Sequence, residues 1–156
     1  MIIHLEERSF FFELDQKAYR AMEYSFPVEI KAKPGFLSPI VEAKVDPGAI
    51  ISVLFFDENE EKTRLEADRI REVPASLVKG LVAAGGERLT GYYAWLGLRL
   101  IKEGRAISIP VLVAQQRMTR RKLLLGSMGF LAMHNLVLCS NRSGRSKIVS
   151  YGEVLS

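Results

Sequence analysis

The sequence predicts a mostly β fold, and three observations carry that prediction. Apolar and polar residues alternate with the two-residue period of a strand across residues 26–32 and again across 40–45. The run 49–56 is almost wholly apolar, as expected of a strand buried on both faces. Residues 92–100 and 106–113 read as the arms of a hairpin joined by the turn Lys102-Glu103-Gly104-Arg105. With 156 residues, 48% hydrophobic and 26% charged, the chain fits one ordinary globular domain.

The elements follow in order. Residues 9–14 contain Phe10, Phe11 and Phe12 and read as a strand, whereas 15–23 fits either a short helix or a second strand. In the next segment Phe26, Val28, Ile30 and Ala32 share one face, and the Pro34-Gly35 turn signal follows. Val41, Ala43 and Val45 form the inward face of the following strand, with Glu42 and Lys44 outward. Residues 57–61 are an acidic turn, and 62–73 fits either a charged helix or a hairpin arm. A short helix is expected over 74–81, opened by Pro74 with Leu77, Val78 and Leu81 on one face. Ala84-Gly85-Gly86-Glu87 breaks the chain before the second β region. A second short helix is expected over 129–134, then a strand at 136–138, a turn at 140–144 and a last strand at 148–151.

Composition excludes several classes. No stretch of about 18 uninterrupted apolar residues exists to form a membrane span. The first eight residues carry Glu6 and Glu7 where a secretory signal carries a basic segment and a long apolar one, so a cytoplasmic location is expected. The lone Cys139 excludes an intramolecular disulfide and fits a reducing compartment. A net charge of +4 does not by itself imply nucleic acid, although Arg117, Arg120, Arg121 and Lys122, then Arg142, Arg145 and Lys147, concentrate basic charge late in the chain. A nucleic-acid-binding β-barrel therefore ranks last, because aromatics are not interleaved with those basic residues. His4 and His134 stand far apart, and no histidine, cysteine and carboxylate cluster has ligand spacing, so no metal and no cofactor are expected. Gly85-Gly86 and Gly126-Ser127-Met128-Gly129 lack the Lys-Ser or Lys-Thr of a phosphate loop.

The chemistry-bearing segment is Val41-Glu42-Ala43-Lys44-Val45-Asp46-Pro47-Gly48-Ala49-Ile50-Ile51-Ser52-Val53-Leu54. Alone, Asp46-Pro47-Gly48 is a turn in which proline sets the first central φ and glycine takes a positive second one. Read with Leu123-Leu124-Leu125-Gly126 further on, the stretch resembles the retropepsin-like aspartic protease family. That family carries an apolar strand, an Asp-Thr-Gly-Ala turn, a buried strand with a serine three residues after the alanine, a hairpin flap, and an apolar-apolar-Gly element leading into a helix. The resemblance spans about residues 26–138, leaving 1–25 as an N-terminal arm and 139–156 as a C-terminal hairpin of the single domain 1–156. It implies a closed acid-protease-type β-barrel with one or two short helices, whose working unit is a twofold homodimer. Asp46 is the implied catalytic residue, with Pro47, Gly48, Ala49 and Ser52 in the active-site loop. Gly85, Gly86, Glu87, Gly91 and Tyr92 fall at the flap, over a polypeptide substrate. Leu124, Leu125 and Gly126 form the supporting element.

An aspartic protease needs two carboxylates about 3 Å apart sharing one proton, one acting as base and the other as acid. This chain offers one such aspartate, so the second Asp46 has to come from a twofold-related copy. Pro47 departs from the family pattern, because it has neither the hydroxyl nor the backbone N–H that threonine supplies across the dimer axis. Two readings follow: an aspartic endopeptidase, or an inactive retropepsin-like module that binds peptides or dimerises.

Overall fold

The computed structural model describes residues 1–57, 65, 67–69, 88–140 and 146–150. Strands dominate: β1 (Ile2–His4), β2 (Glu6–Leu14), β3 (Lys17–Ile30), β4 (Ile40–Val45), β5 (Ser52–Asp57), β6 (Ala67–Arg69), β7 (Gly91–Leu100), β8 (Arg105–Met118), β9 (Lys122–Leu125), β10 (Leu136–Cys139) and β11 (Lys147–Ser150). A short π-type helix, Ser127–Ala132, is the helical element among the described residues.

Eight strands form one sheet in the order β2-β3-β4-β9-β5-β8-β7-β6. The long β3 pairs with β4 through Tyr24 to Glu29 and with β7 through Val28 to Ile30. As a result β3, β4, β9, β5, β8 and β7 are hydrogen-bonded neighbours in a ring. The space inside is filled by Val28, Ile30, Leu54, Phe56, Leu96, Ile109, Val111, Leu123 and Leu125, all essentially inaccessible to solvent. Burial of this apolar surface is the main force holding the ring together. Val53, Phe55, Leu112 and Ala114 form a second cluster with Leu89. That explains why β5 is apolar on both faces: alternate side chains enter different clusters. A smaller sheet, β1-β11-β10, joins the start of the chain to its end, with Ile2 opposite Val149.

Most expected elements appear, with informative shifts. Val41, Ala43 and Val45 are buried as the alternation required. The hairpin of β7 and β8 runs in unbroken register from Gly91↔Ala114 to Leu100↔Arg105. Residues 15–23 form the strand alternative rather than a helix, because Asp15 and Gln16 both adopt positive φ (51° and 62°) and turn the chain tightly between Leu14 and Lys17. The strand expected over 49–56 starts only at Ser52, since Ala49 and Ile51 belong to a loop and Ile50 is exposed. The second helix lies at 127–132 instead of 129–134. Within 62–73, Leu65 bridges Ala32 and Ala67–Arg69 pairs with β7, so these described residues are extended. The helix expected over 74–81 lies outside the described residues, as do 58–61 and most of the 140–144 turn. Residues 25 and 26, the boundary between arm and core, are consecutive positions of β3. No helix among the described residues is long and apolar enough to cross a membrane.

Candidate functional site

The site begins with an insertion. β9 lies between β4 and β5, parallel to β4 (Val45↔Leu125) and antiparallel to β5 (Val53↔Leu124). The loop joining β4 to β5 therefore crosses the end of β9 and cannot swing free of it. β4 delivers Asp46 to this crossing, where the Asp46 N–H donates to the Leu125 carbonyl at 2.9 Å.

Within the loop, the Ala49 N–H donates to the Asp46 carbonyl at 3.1 Å, closing a four-residue turn. The Gly48 N–H donates to Asp46 Oδ1 at 3.0 Å, so one carboxylate oxygen is fixed by the loop itself. Asp46 is half-buried, whereas Pro47 and Gly48 are exposed. The expected positive φ at Gly48 is absent: among the described glycines it occurs at Gly35 and Gly104. Pro47 suits the first central position of the turn, whose N–H is not used to close it.

The far side of the loop is strapped by the segment after β9. The Ser127 N–H and hydroxyl both donate to the Ala49 carbonyl, at 2.8 and 3.1 Å. The Gly126 N–H donates to Ser52 Oγ at 3.0 Å, a buried bond between groups 74 residues apart. Ser52 is fully buried, so its hydroxyl is the acceptor that makes burial of the Gly126 N–H tolerable. Ser52→Ala is expected to lower stability by about 1–3 kcal/mol, the cost of an orphaned buried donor, measured by urea unfolding. Ser52→Thr, which retains the hydroxyl, separates the lost bond from altered packing.

Asp46, Gly48, Ala49, Ser52, Leu125 and Gly126 thus form one unit tied by hydrogen bonds, with Pro47 inside its turn and Leu124 beside it against the second apolar cluster. Gly91 and Tyr92 open β7, opposite Ala114 and Val113, and Val113 in turn pairs with Leu54 of β5. That puts them two strands from β5, with Tyr92 partly buried against the core. Gly85, Gly86 and Glu87 lie outside the described residues. Sequence reasoning missed the strap made by Ser127; its only signal was a hydroxyl directly after Gly126. It also missed Gly129, where an added Cβ would stand 3.1 Å from both Ser52 Oγ and the Pro110 carbonyl. No group of three metal-binding side chains occurs among the described residues.

Glu6 of β2 and Glu42 of β4 form a pair of acids across β3. The Ser25 hydroxyl donates to Glu42 Oε1 at 3.1 Å. Although Glu42 is exposed overall, local desolvation of its carboxyl, followed by a hydrogen bond with Glu6, pushes it above its ordinary value, while Ser25 opposes the shift. A raised folded-state value means that Glu42 favours folding while protonated, and that this contribution is lost as pH rises through the raised value. The Glu42 contribution should therefore fall as pH rises above the ordinary 4.5, and Glu42→Gln should gain stability relative to wild type across that rise. Thermal unfolding across a pH series checks both.

No protein-family model, curated protein or solved structure matches this chain.

Proposed function

We propose that this chain is one half of a homodimeric aspartic endopeptidase of retropepsin-like type, its ring of strands a closed acid-protease-type β-barrel and its catalytic pair the two Asp46 carboxylates. The observation that carries the reading is the Asp46 loop, pinned by Leu125 on one side and by Ser127 on the other, with one carboxylate oxygen fixed by Gly48. A carboxylate held this rigidly on a half-exposed loop suits a reaction that depends on positioning. In the dimer, one Asp46 takes a proton from water as its oxygen attacks the scissile carbonyl carbon, and the other donates a proton to the carbonyl oxygen. The tetrahedral adduct then collapses as the first Asp46 passes its proton to the amide nitrogen, the second takes one back from a hydroxyl of the adduct, and the C–N bond breaks. Metal and cofactor have no step in this scheme.

A second reading has its own observation. Pro47 removes the donors that would tie the two loops together across the axis, which favours an inactive module that keeps the groove for peptide binding or the dimer for assembly. Cleavage of a peptide library between about pH 4 and 7 by wild type, Asp46→Asn and Pro47→Thr, with dimerisation checked, separates the two. Wild-type cleavage abolished by Asp46→Asn supports the enzyme. Cleavage by Pro47→Thr alone supports the silenced module, and cleavage by none of the three overturns the peptidase reading.

A further inference from the structure

The hairpin of β2 and distal β3 does not belong to the ring. Residues 24–29 of β3 pair with β4, but residues 17–23 pair only with β2 among the described residues. Tyr24 sits opposite Val45, one residue before Asp46, so the seven residues 17–23 continue past the end of β4 that carries Asp46. At about 3.4 Å per residue they extend roughly 20 Å beyond it. Every residue from Arg8 to Arg20 is exposed.

The ribbon has an apolar face with nothing described against it. Cross-strand partners share a face, so Phe10 with Ala21, Phe12 with Tyr19, and Leu14 with Lys17 form one side, apolar except for Lys17 beside the turn. Phe12 and Tyr19 stack with ring centroids 5.5 Å apart, yet remain 46% and 43% exposed, and Leu14 is 57% exposed. The opposite side carries Phe11 with Arg20 and Glu13 with Ala18. A two-stranded ribbon is marginally stable alone in water, and an aromatic face of this kind marks an interaction surface. The polar Asp15-Gln16 turn, next to Glu13, is wrong for tip-first insertion into a lipid surface, because the apolar groups line a side rather than the tip.

We infer that this ribbon is an arm that clasps the second copy of the chain through its Phe10, Phe12, Leu14 and Tyr19 face. The inference rests on the twofold Asp46 pairing proposed above and adds a contact outside the Asp46 loops that would hold the two copies together. Two Asp46 carboxylates can approach to about 3 Å only if the second copy abuts this end of the sheet. A ribbon projecting roughly 20 Å past the same end then lies alongside that copy. Each protomer embraces the other with an identical arm, as a twofold interface demands.

The two faces supply the test. Phe12→Lys charges the apolar face, and Phe11→Lys charges the other face at a residue that is 73% exposed. Sedimentation equilibrium should show a wild-type dimer, a dimer Kd raised about thirtyfold or more in Phe12→Lys, and a value within about threefold of wild type in Phe11→Lys. Circular dichroism should find both variants folded. Phe12→Lys dimerising as tightly as wild type overturns the arm but leaves the paired aspartates standing, whereas a wild type monomeric throughout overturns both. Co-sedimentation with anionic phosphatidylserine vesicles that Phe12→Lys abolishes without changing the dimer Kd also overturns it, in favour of a lipid surface.

Discussion

In the proposed peptidase, Asp46→Asn should abolish peptide cleavage while leaving the fold and the proposed dimer in place. Asparagine keeps an oxygen able to accept the Gly48 N–H, now 3.0 Å from Asp46 Oδ1, so the loop retains its internal bond. The Asp46 N–H bond to Leu125 and the Ala49 bond to the Asp46 carbonyl are backbone contacts and do not depend on the side chain. Stability should accordingly stay within about 0.5 kcal/mol of wild type, as for an ordinary surface substitution. What disappears is the proton: an amide can neither accept one from water nor share one with its mate. Loss of positioned acid–base chemistry at both copies should lower kcat/KM by about a thousandfold or more. Cleavage that persists unchanged in the folded Asp46→Asn dimer would remove Asp46 from the chemistry.

Pro47 bears on the same experiment from the other direction. Inside one chain the turn from Asp46 to Ala49 is closed by the Ala49 N–H and supported by the Gly48 N–H. Neither bond uses the N–H that proline lacks, so Pro47 is compatible with the monomer's loop. In the proposed dimer its consequence falls on whatever lies across the twofold axis, where each missing donor would cost on the order of 1 kcal/mol. The strap from Ser127 to Ala49 holds the loop from within the same chain, and that support is independent of residue 47.

How much of this was legible in the sequence depends on whether the signal was local. Val41, Ala43 and Val45 declared their buried face through period-two alternation, and the β7–β8 hairpin declared itself through two long apolar arms around a glycine turn. The Asp15-Gln16 turn was hidden, since neither residue is glycine and positive φ at both is uncommon. The run 49–56 looked like a single strand because Ala49, Ile50 and Ile51 are apolar. Their loop conformation is instead set by Ser127 and Gly126, more than seventy positions away. The insertion of β9 between β4 and β5 is likewise non-local, and periodicity along the chain carries no record of which strand lies beside which. The family resemblance had joined those segments only by their order. The projection of the ribbon is non-local as well, because a strand with three phenylalanines does not show along the chain whether another element covers its face.

Gly126→Ala should be the most destabilising single substitution at the site. The backbone at Gly126 has φ −87° and ψ 171°, extended geometry open to any residue, so no left-handed conformation requires glycine there. Space requires it. A Cβ at residue 126 would overlap the Ile51 carbonyl and stand 2.9 Å from the Ala49 carbonyl oxygen. Both obstacles are backbone atoms, which no rotamer change can clear. Relief demands that the end of β9 move away from residues 49–51, and that motion breaks the buried bond from Gly126 to Ser52 and the Ser127 strap together. Overpacking alone costs about 1–3 kcal/mol, and the orphaned donors add to it, so a loss of about 3 kcal/mol or more is expected in urea unfolding. The same substitution should abolish any activity that depends on a rigid Asp46 loop, even at temperatures where the variant remains folded. Near-wild-type stability in Gly126→Ala would mean that β9 and the loop are not in contact, and the pinned-loop account of the site would fall with it.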